Sequence, residues 1–199
     1  MTQTRVQRPD LTLPEAEGAR VRAAYDAADV ILEYGSGGST VLASEMRDKR
    51  VFSVESDKNW ADMMQIWLAE NPPSSGTKVD VIWSNVGKTG EWGRPIGDGA
   101  WRRYPDYPLA IWQQQDFVQP DVVLVDGRFR PGCAMATAFC TARPVVMLVD
   151  DYQRRTGYHA IEEFLGSPQM IGRMAEFEVA PMAVPAHRLL PIIKMMMRP

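Results

Sequence analysis

Two groups of residues in this 199-residue chain combine side-chain types and spacings that could do chemistry. The first is Gly35-Ser36-Gly37-Gly38-Ser39-Thr40, with Glu33 just before it and Glu55 twenty positions after Gly35. Glycine permits positive φ and lets a ligand approach the backbone with no Cβ in the way. A helix that starts at such a turn offers unpaired N–H donors to a carboxylate or phosphate. An acid at the end of the following strand accepts hydrogen bonds from both hydroxyls of an adenosine ribose, a charge-assisted contact worth about 1.5–3 kcal/mol. Glu55 alone reads equally as a solvated strand end, and the alternative for the glycine cluster is an ordinary turn. Together they point to a nucleotide-type ligand.

The second group mixes acids and arginines. Asp126 follows DVVLV and Asp150-Asp151 follow VVMLV, with Arg128, Arg130, Arg154 and Arg155 close by. If both runs are parallel strands, the three carboxylates gather at one carboxyl edge, where open α/β sheets bind ligands. Strands lie about 4.8 Å apart, and at about 5 Å two unit charges repel by roughly 3 kcal/mol at an effective dielectric of 20. Three compensations are open. A magnesium ion, which prefers oxygen ligands, could be held by Asp126, Asp150 and Asp151. The arginines could neutralise the carboxylates as ion pairs. One aspartate could stay protonated and act as a general base once it loses its proton, Asp126 being the first candidate. The same arginines, with Arg102 and Arg103, also suit an acceptor bearing a carboxylate, phosphate or sulfate, because the guanidinium is a planar fork.

The elements that position these groups alternate as β-α units. Residues 14–28 read as a lead-in helix, 30–34 (VILEY) as a first strand and 39–46 as its helix. Residues 50–55 form a second strand, and 58–70 return as a helix that ends at Pro72 and Pro73. Residues 79–83, 121–125 and 145–149 are three further strands, apolar enough to be covered on both faces, which favours parallel pairing. Helices are expected at 133–142 and 158–165, and a hairpin-like final pair at 174–179 and 187–193. Residues 87–108 are too long and glycine-rich for a simple connection. Their Trp92, Trp101, Tyr104 and Tyr107 favour an ordered lid over a flexible linker. No repeat or linker divides the chain, so one domain over 1–199 is expected.

On these residues the chain resembles the class I S-adenosylmethionine-dependent methyltransferases. Their first motif places an acid two positions before a glycine-rich turn, seen here as Glu33-Tyr34-Gly35-Ser36-Gly37. The resemblance implies a Rossmann-like three-layer α/β sandwich with a mostly parallel seven-stranded sheet and an antiparallel last strand. It further implies that the Gly35–Gly37 backbone approaches the methionine moiety, that Glu33 helps position its amino group through the loop or water, and that Glu55 holds the ribose. Ser39 stands where the motif has its third glycine. Metal-dependent catechol-type O-methyltransferases are also similar, with acids matching Asp126, Asp150 and Asp151, but their asparagine is Asp151 here and their lysine is Phe129. The resulting expectation is methyl transfer to a small acceptor, with Asp126, Arg128 and Asp150 as catalytic residues.

Two other readings compete. An NAD(P)-dependent oxidoreductase shares the glycine turn and strand-end acid, but its GxGxxG spacing would need glycine at Thr40. A non-catalytic cofactor-binding module of the same fold would carry the same glycine turn and Glu55. The net charge of −3 supplies no general field for nucleic acid or anionic membrane. No segment approaches the roughly eighteen apolar residues of a membrane span, and the N-terminus lacks a signal-peptide core. A small-molecule partner and a cytoplasmic location are therefore expected. Cys133 and Cys140, two turns apart on one helix, lack a metal-ligand pattern and read as packing residues. His159 and His187 read as structural, and Met195–Met197 as edge packing.

Overall fold

The computed structural model describes residues 7–199. Helix α1 (Glu15–Ala27) leads into strand β1 (Val30–Tyr34), followed by α2 (Gly38–Glu45), β2 (Arg50–Glu55), α3 (Lys58–Glu70) and β3 (Lys78–Trp83). A long connection containing α4 (Asp106–Leu109) reaches β4 (Val122–Val125), then α5 (Arg130–Cys140), β5 (Val145–Val149), α6 (Glu162–Leu165), β6 (Gln169–Ile171), β7 (Met174–Val179) and α7 (Leu189–Met196). Local chemistry sets several boundaries. Asp57 caps α3 by accepting from the Trp60 N–H at 2.9 Å, and α5 carries Pro131 in its first turn, where no N–H partner is lost.

The sheet order is β3-β2-β1-β4-β5-β7-β6, with β7 antiparallel to both neighbours and the other pairings parallel. The chain leaves β1 toward β2 and β3, then returns to β4 on its other side, so the strand order reverses between β1 and β4. Tyr34 lies in register with Val54 and Val125, and Val125 with Val149. The next residue on each strand is Gly35, Glu55, Asp126 and Asp150, so the register alone lines these four along one edge.

Side chains alternate between the two faces of the sheet. Leu32, Val54, Val123, Val125, Met147 and Val149 pack in one core with α5 and α7, whereas Ile31, Val51, Val122, Leu124 and Leu148 pack in the other with α1 and α2. A Cβ on Gly132 would come within 2.9 Å of the Met196 Cα, which is how closely α5 and α7 approach.

Three expectations need correction. Residues 187–193 are helical, not a strand, and the partner of β7 is the short β6. Pro191 cannot donate to a strand ladder but is tolerated in a first helical turn, while Ile192, Met195 and Met196 share the helical face turned to the core. β3 is not covered on both faces: it is a sheet edge, and among its residues only Val81 is buried. Residues 158–165 begin as a 3₁₀ stretch (Thr156–Ile161) before the single turn of α6.

The segment 87–108 is built from short turns and α4, with one bridge between Thr89 and Pro95. Its aromatics divide. Tyr104 and Tyr107 are buried with their rings 5.1 and 5.5 Å from that of Phe129, whereas Trp92 is 84 % exposed and Trp101 50 %. Cys133 is buried, Cys140 half-buried, and both are free thiols. Among the described residues no helix is long and apolar enough to cross a membrane.

Candidate functional site

The three glycines of the β1–α2 loop serve different ends. Gly35 has φ +103°, and a Cβ there would lie 2.7 Å from the Gly127 backbone nitrogen, so two glycines meet back to back at the strand-order reversal. Gly38 faces the Asp10 carbonyl, which leaves no room for a Cβ. Only Gly37 is open, with no described atom within 4 Å of where its Cβ would stand. The fold requires the first and last of these glycines, and the middle one leaves a bare backbone beside the site.

Glu33 is fully buried and does not line that space. Its carboxylate accepts from the Tyr25 hydroxyl at 2.7 Å and the Thr40 hydroxyl at 2.6 Å, and Thr40 Oγ1 in turn accepts from the Gly37 N–H at 3.0 Å. Burial pushes the Glu33 carboxyl up, an effect countered by the bonds from Thr40, Tyr25, Ser39 and Ser53. Glu33 therefore props the loop from behind. Ser39 sits with it, buried in the first turn of α2.

Glu55 joins the loops after β1 and β2. Its Oε1 accepts from the backbone N–H groups of Ser56 and Asp57 at 2.6 and 2.8 Å, and its Oε2 from the Ser36 N–H at 3.1 Å. Burial pushes its carboxyl up, and these backbone bonds oppose the shift. The indole N–H of Trp60 fixes the Ser36 carbonyl at 2.8 Å. The 87–108 segment docks alongside: Ser56 Oγ donates to the Gly93 carbonyl at 2.9 Å and Thr89 Oγ1 to Asp57 at 2.7 Å. Ser84, which the sequence reading missed, follows β3 and donates its N–H to the Glu55 carbonyl at 2.7 Å. Its hydroxyl oxygen is buried with no hydrogen-bond partner among the described residues. Only the pairing of Trp83 with Glu55 brings it here.

The acidic edge is organised by two arginines. Arg130, only 4 % exposed, donates Nε to the Gly127 carbonyl at 3.0 Å, Nη2 to the Asp126 carbonyl at 2.9 Å and Nη1 to the Asp150 carbonyl at 2.5 Å. The same Nη2 lies 3.1 Å from the Asp126 carboxylate and 3.6 Å from that of Asp151. Asp150, 1 % exposed, receives a two-pronged bond from Arg173 at 3.0 and 2.7 Å. Arg173 also lies 3.3 Å from Asp151, and Arg155 3.4 Å from it. Sequence reading had no means of finding Arg173, which stands in the β6–β7 turn.

Burial, offset by Arg130 and reinforced by Asp150 and Asp151, pushes the Asp126 carboxyl up to about 6. Arg128 is different from its neighbours. Burial first, and then the charge of Arg130, push its pKa down, and its Nε is buried with no partner among the described residues. Its backbone N–H donates to the Tyr107 hydroxyl at 3.4 Å.

The magnesium expectation finds no support in this geometry. Among the described residues no three His, Cys, Asp or Glu side chains are arranged to hold a metal. The guanidiniums of Arg130 and Arg173 already stand against Asp126, Asp150 and Asp151, and a dication would have to displace them. The residues present fit the S-adenosylmethionine expectation: the open backbone at Gly37 and the carboxylate of Glu55 flank the β1 end, where open α/β sheets take their ligands.

A seven-stranded sheet of this order, with one antiparallel strand and a glycine loop and acid at the ends of β1 and β2, defines the Rossmann-like methyltransferase class. A methyltransferase-like protein from Silicibacter pomeroyi DSS-3 has 57 % sequence identity, with 96 % of this chain and 99 % of that one covered and a TM-score of 0.94. The O-methyltransferase TomG from Streptomyces achromogenes, solved with S-adenosylmethionine, matches at TM-score 0.55 and 18 % identity, covering 86 % of this chain and 83 % of its own. An O-methyltransferase from Bacillus cereus, solved with S-adenosylhomocysteine, matches at 0.51 and 13 %, covering 80 % and 72 %. No protein-family model and no curated protein matches the sequence. The chain belongs to the same methyltransferase-like family as the Silicibacter protein, and its fold is that of the S-adenosylmethionine-dependent methyltransferases.

Proposed function

We propose that the protein is an active S-adenosylmethionine-dependent methyltransferase whose acceptor is a small molecule. The observation that carries this reading is the open Gly37 backbone between two glycines that the fold itself fills. The bound cofactor supplies a methyl group on a sulfonium, which an acceptor oxygen or nitrogen attacks in line.

The residues of this chain then divide the work. Glu55 takes a ribose hydroxyl on the free lone pair of Oε2, beside the Ser36 N–H, while Ser36 and Gly37 lie along the methionine portion. Glu33 acts through Thr40, holding the Gly37 N–H and with it the loop. Asp126 removes the acceptor proton: with its carboxyl near 6 it is ionised at neutral pH yet more basic than an ordinary aspartate. Arg128, its Nε unpaired, orients the acceptor. Asp150 positions Arg173 against the same edge. The 87–108 segment, tied to Ser56 and Asp57, serves as the lid over the ribose end.

Calorimetric titration with S-adenosylhomocysteine and, separately, NAD tests the cofactor assignment. Binding of S-adenosylhomocysteine alone is expected. Binding of NAD alone would overturn it. Firm S-adenosylhomocysteine binding without methyl transfer across a broad panel of hydroxyl and amine acceptors would favour a non-catalytic binding module.

A further inference from the structure

Outside the glycine loop, the structure has a cleft of about 230 Å³ lined by Asp151, Arg154, Arg155 and Arg173. It opens beside the end of β5, and a single guanidinium, that of Arg130, lies between its wall residue Asp151 and the Asp126 carboxylate. Complete sites for small molecules occupy roughly 300–1,000 Å³. This cleft is therefore sized for one group of a larger acceptor.

The charges in the cleft do not balance. Arg154, Arg155 and Arg173 line it against one lining carboxylate, that of Asp151, while Arg128 and Arg130 stand at the same sheet edge beside Asp126 and Asp150 and the buried Glu17 carboxylate accepts from the Arg173 backbone N–H. Arg173 has its fork occupied by Asp150, and Arg130 is engaged with three backbone carbonyls. Arg155 makes only a 3.4 Å contact with Asp151 while its guanidinium carbon stands 5.8 Å from the Tyr158 ring centre. Arg154 makes no ion pair or hydrogen bond among the described residues, and Arg128 leaves a buried Nε unpaired. Arg128 also feels the like charges of Arg130 and Arg155. Cations crowded in this way, with the guanidinium of Arg154 unpaired on the cleft wall, are what a planar or tetrahedral oxyanion satisfies.

We infer that the methyl acceptor carries an oxyanion, a carboxylate or a phosphate, which Arg154 and Arg155 bind in this cleft while its nucleophile reaches Asp126. The inference rests on the methyltransferase reading for the nucleophile, but the anion site itself can be tested without turnover. Both arginines are exposed, so Arg154→Gln and the double variant with Arg155→Gln should fold as the parent does, as checked by thermal melting.

Protein saturated with S-adenosylhomocysteine is titrated with benzoate, phenyl phosphate and neutral benzamide. At least one anion should bind about tenfold or more tightly than benzamide, and the stronger of the two identifies the preferred oxyanion. Arg154→Gln should reduce that preference and the double variant abolish it. Raised salt should weaken the anion and leave benzamide unchanged. If neither anion binds the wild type, if benzamide binds as well as they do, or if the double variant keeps the preference, the inference fails. S-adenosylhomocysteine titrated into the same proteins keeps the two claims apart. It should bind wild type and double variant alike, and its failure to bind wild type would defeat the cofactor assignment, while anion titrations of cofactor-free protein would still judge the cleft.

Discussion

The carboxyl edge of the sheet is built in two ways on either side of the β1–β4 reversal. On the β1–β2 side the working surface is backbone. N–H groups of Ser36, Ser56 and Asp57 point at one carboxylate, and a bare glycine faces open space. On the β4–β5 side it is side chain: two arginines hold three aspartates in an ion-pair network, with further arginines left over. The first arrangement, backbone N–H groups gathered on one carboxylate beside a bare glycine, fits the cofactor of the proposed function. The second is charged and adjustable, which suits a partner that differs between relatives of one fold. Under the proposed function, the first side is the cofactor half and the second the acceptor half.

The largest effects should come from substitutions that act on only one half. Gly37→Val should eliminate detectable S-adenosylhomocysteine binding with an unchanged melting temperature, because its side chain meets ligand and not protein. Gly35→Val should do the reverse damage, losing the fold through its collision with Gly127 and its positive φ. Identical behaviour of the two variants in calorimetry and thermal melting would erase the distinction between structural and ligand-facing glycines.

On the charged side, Arg130→Met should cost about 3–5 kcal/mol in denaturant unfolding, since it strands buried carbonyls and leaves Asp126 without its closest cation. A loss below about 1 kcal/mol would mean that the network does not hold this edge. Glu55→Ala should weaken S-adenosylhomocysteine by about 1.5–3 kcal/mol, tenfold to a hundredfold, without altering anion binding at the arginine cleft. Unchanged cofactor affinity would remove Glu55 from the site.

Asp126 offers a smaller, pH-dependent effect. Its carboxyl stands at about 6 in the fold against an ordinary value of 3.8, so the native protein holds an extra proton between these limits. The stability contributed by that proton is complete below the lower value and is lost as pH rises through the upper one. Melting temperature of the wild type, relative to Asp126→Asn, should therefore fall between about pH 4 and pH 6, and parallel curves would refute the shift. Once an acceptor is in hand, the rate should rise through the same upper value and the variant should lose that limb. The smallest expected effect is none: a chelator should leave S-adenosylhomocysteine affinity and turnover unchanged, and inhibition reversed by magnesium would restore the metal reading.

Several features were legible in the sequence because they are local. Apolar runs of four to six residues separated by helical segments specify β-α units. A glycine cluster at the end of VILEY and an acid at the end of RVFSVE mark the β1 and β2 ends, since each motif lies within a few residues of the element that presents it. The sequence predicts a strand over 187–193 where the helix Leu189–Met196 stands, because an apolar run with a proline has no decisive period of its own; the core it packs on decides. The acidic edge was legible only as a question. Asp126, Asp150 and Asp151 announced a repulsion that something must relieve, and the sequence left metal, arginine or proton open. Tertiary structure chose arginine, and chose Arg173 from a turn twenty-three residues beyond Asp150, because β7 runs antiparallel beside β5 and returns that turn to the carboxyl edge. It likewise placed Glu33 behind the loop and put Ser84 beside Glu55, since strand neighbours are fixed by long-range pairing that no local window of sequence contains.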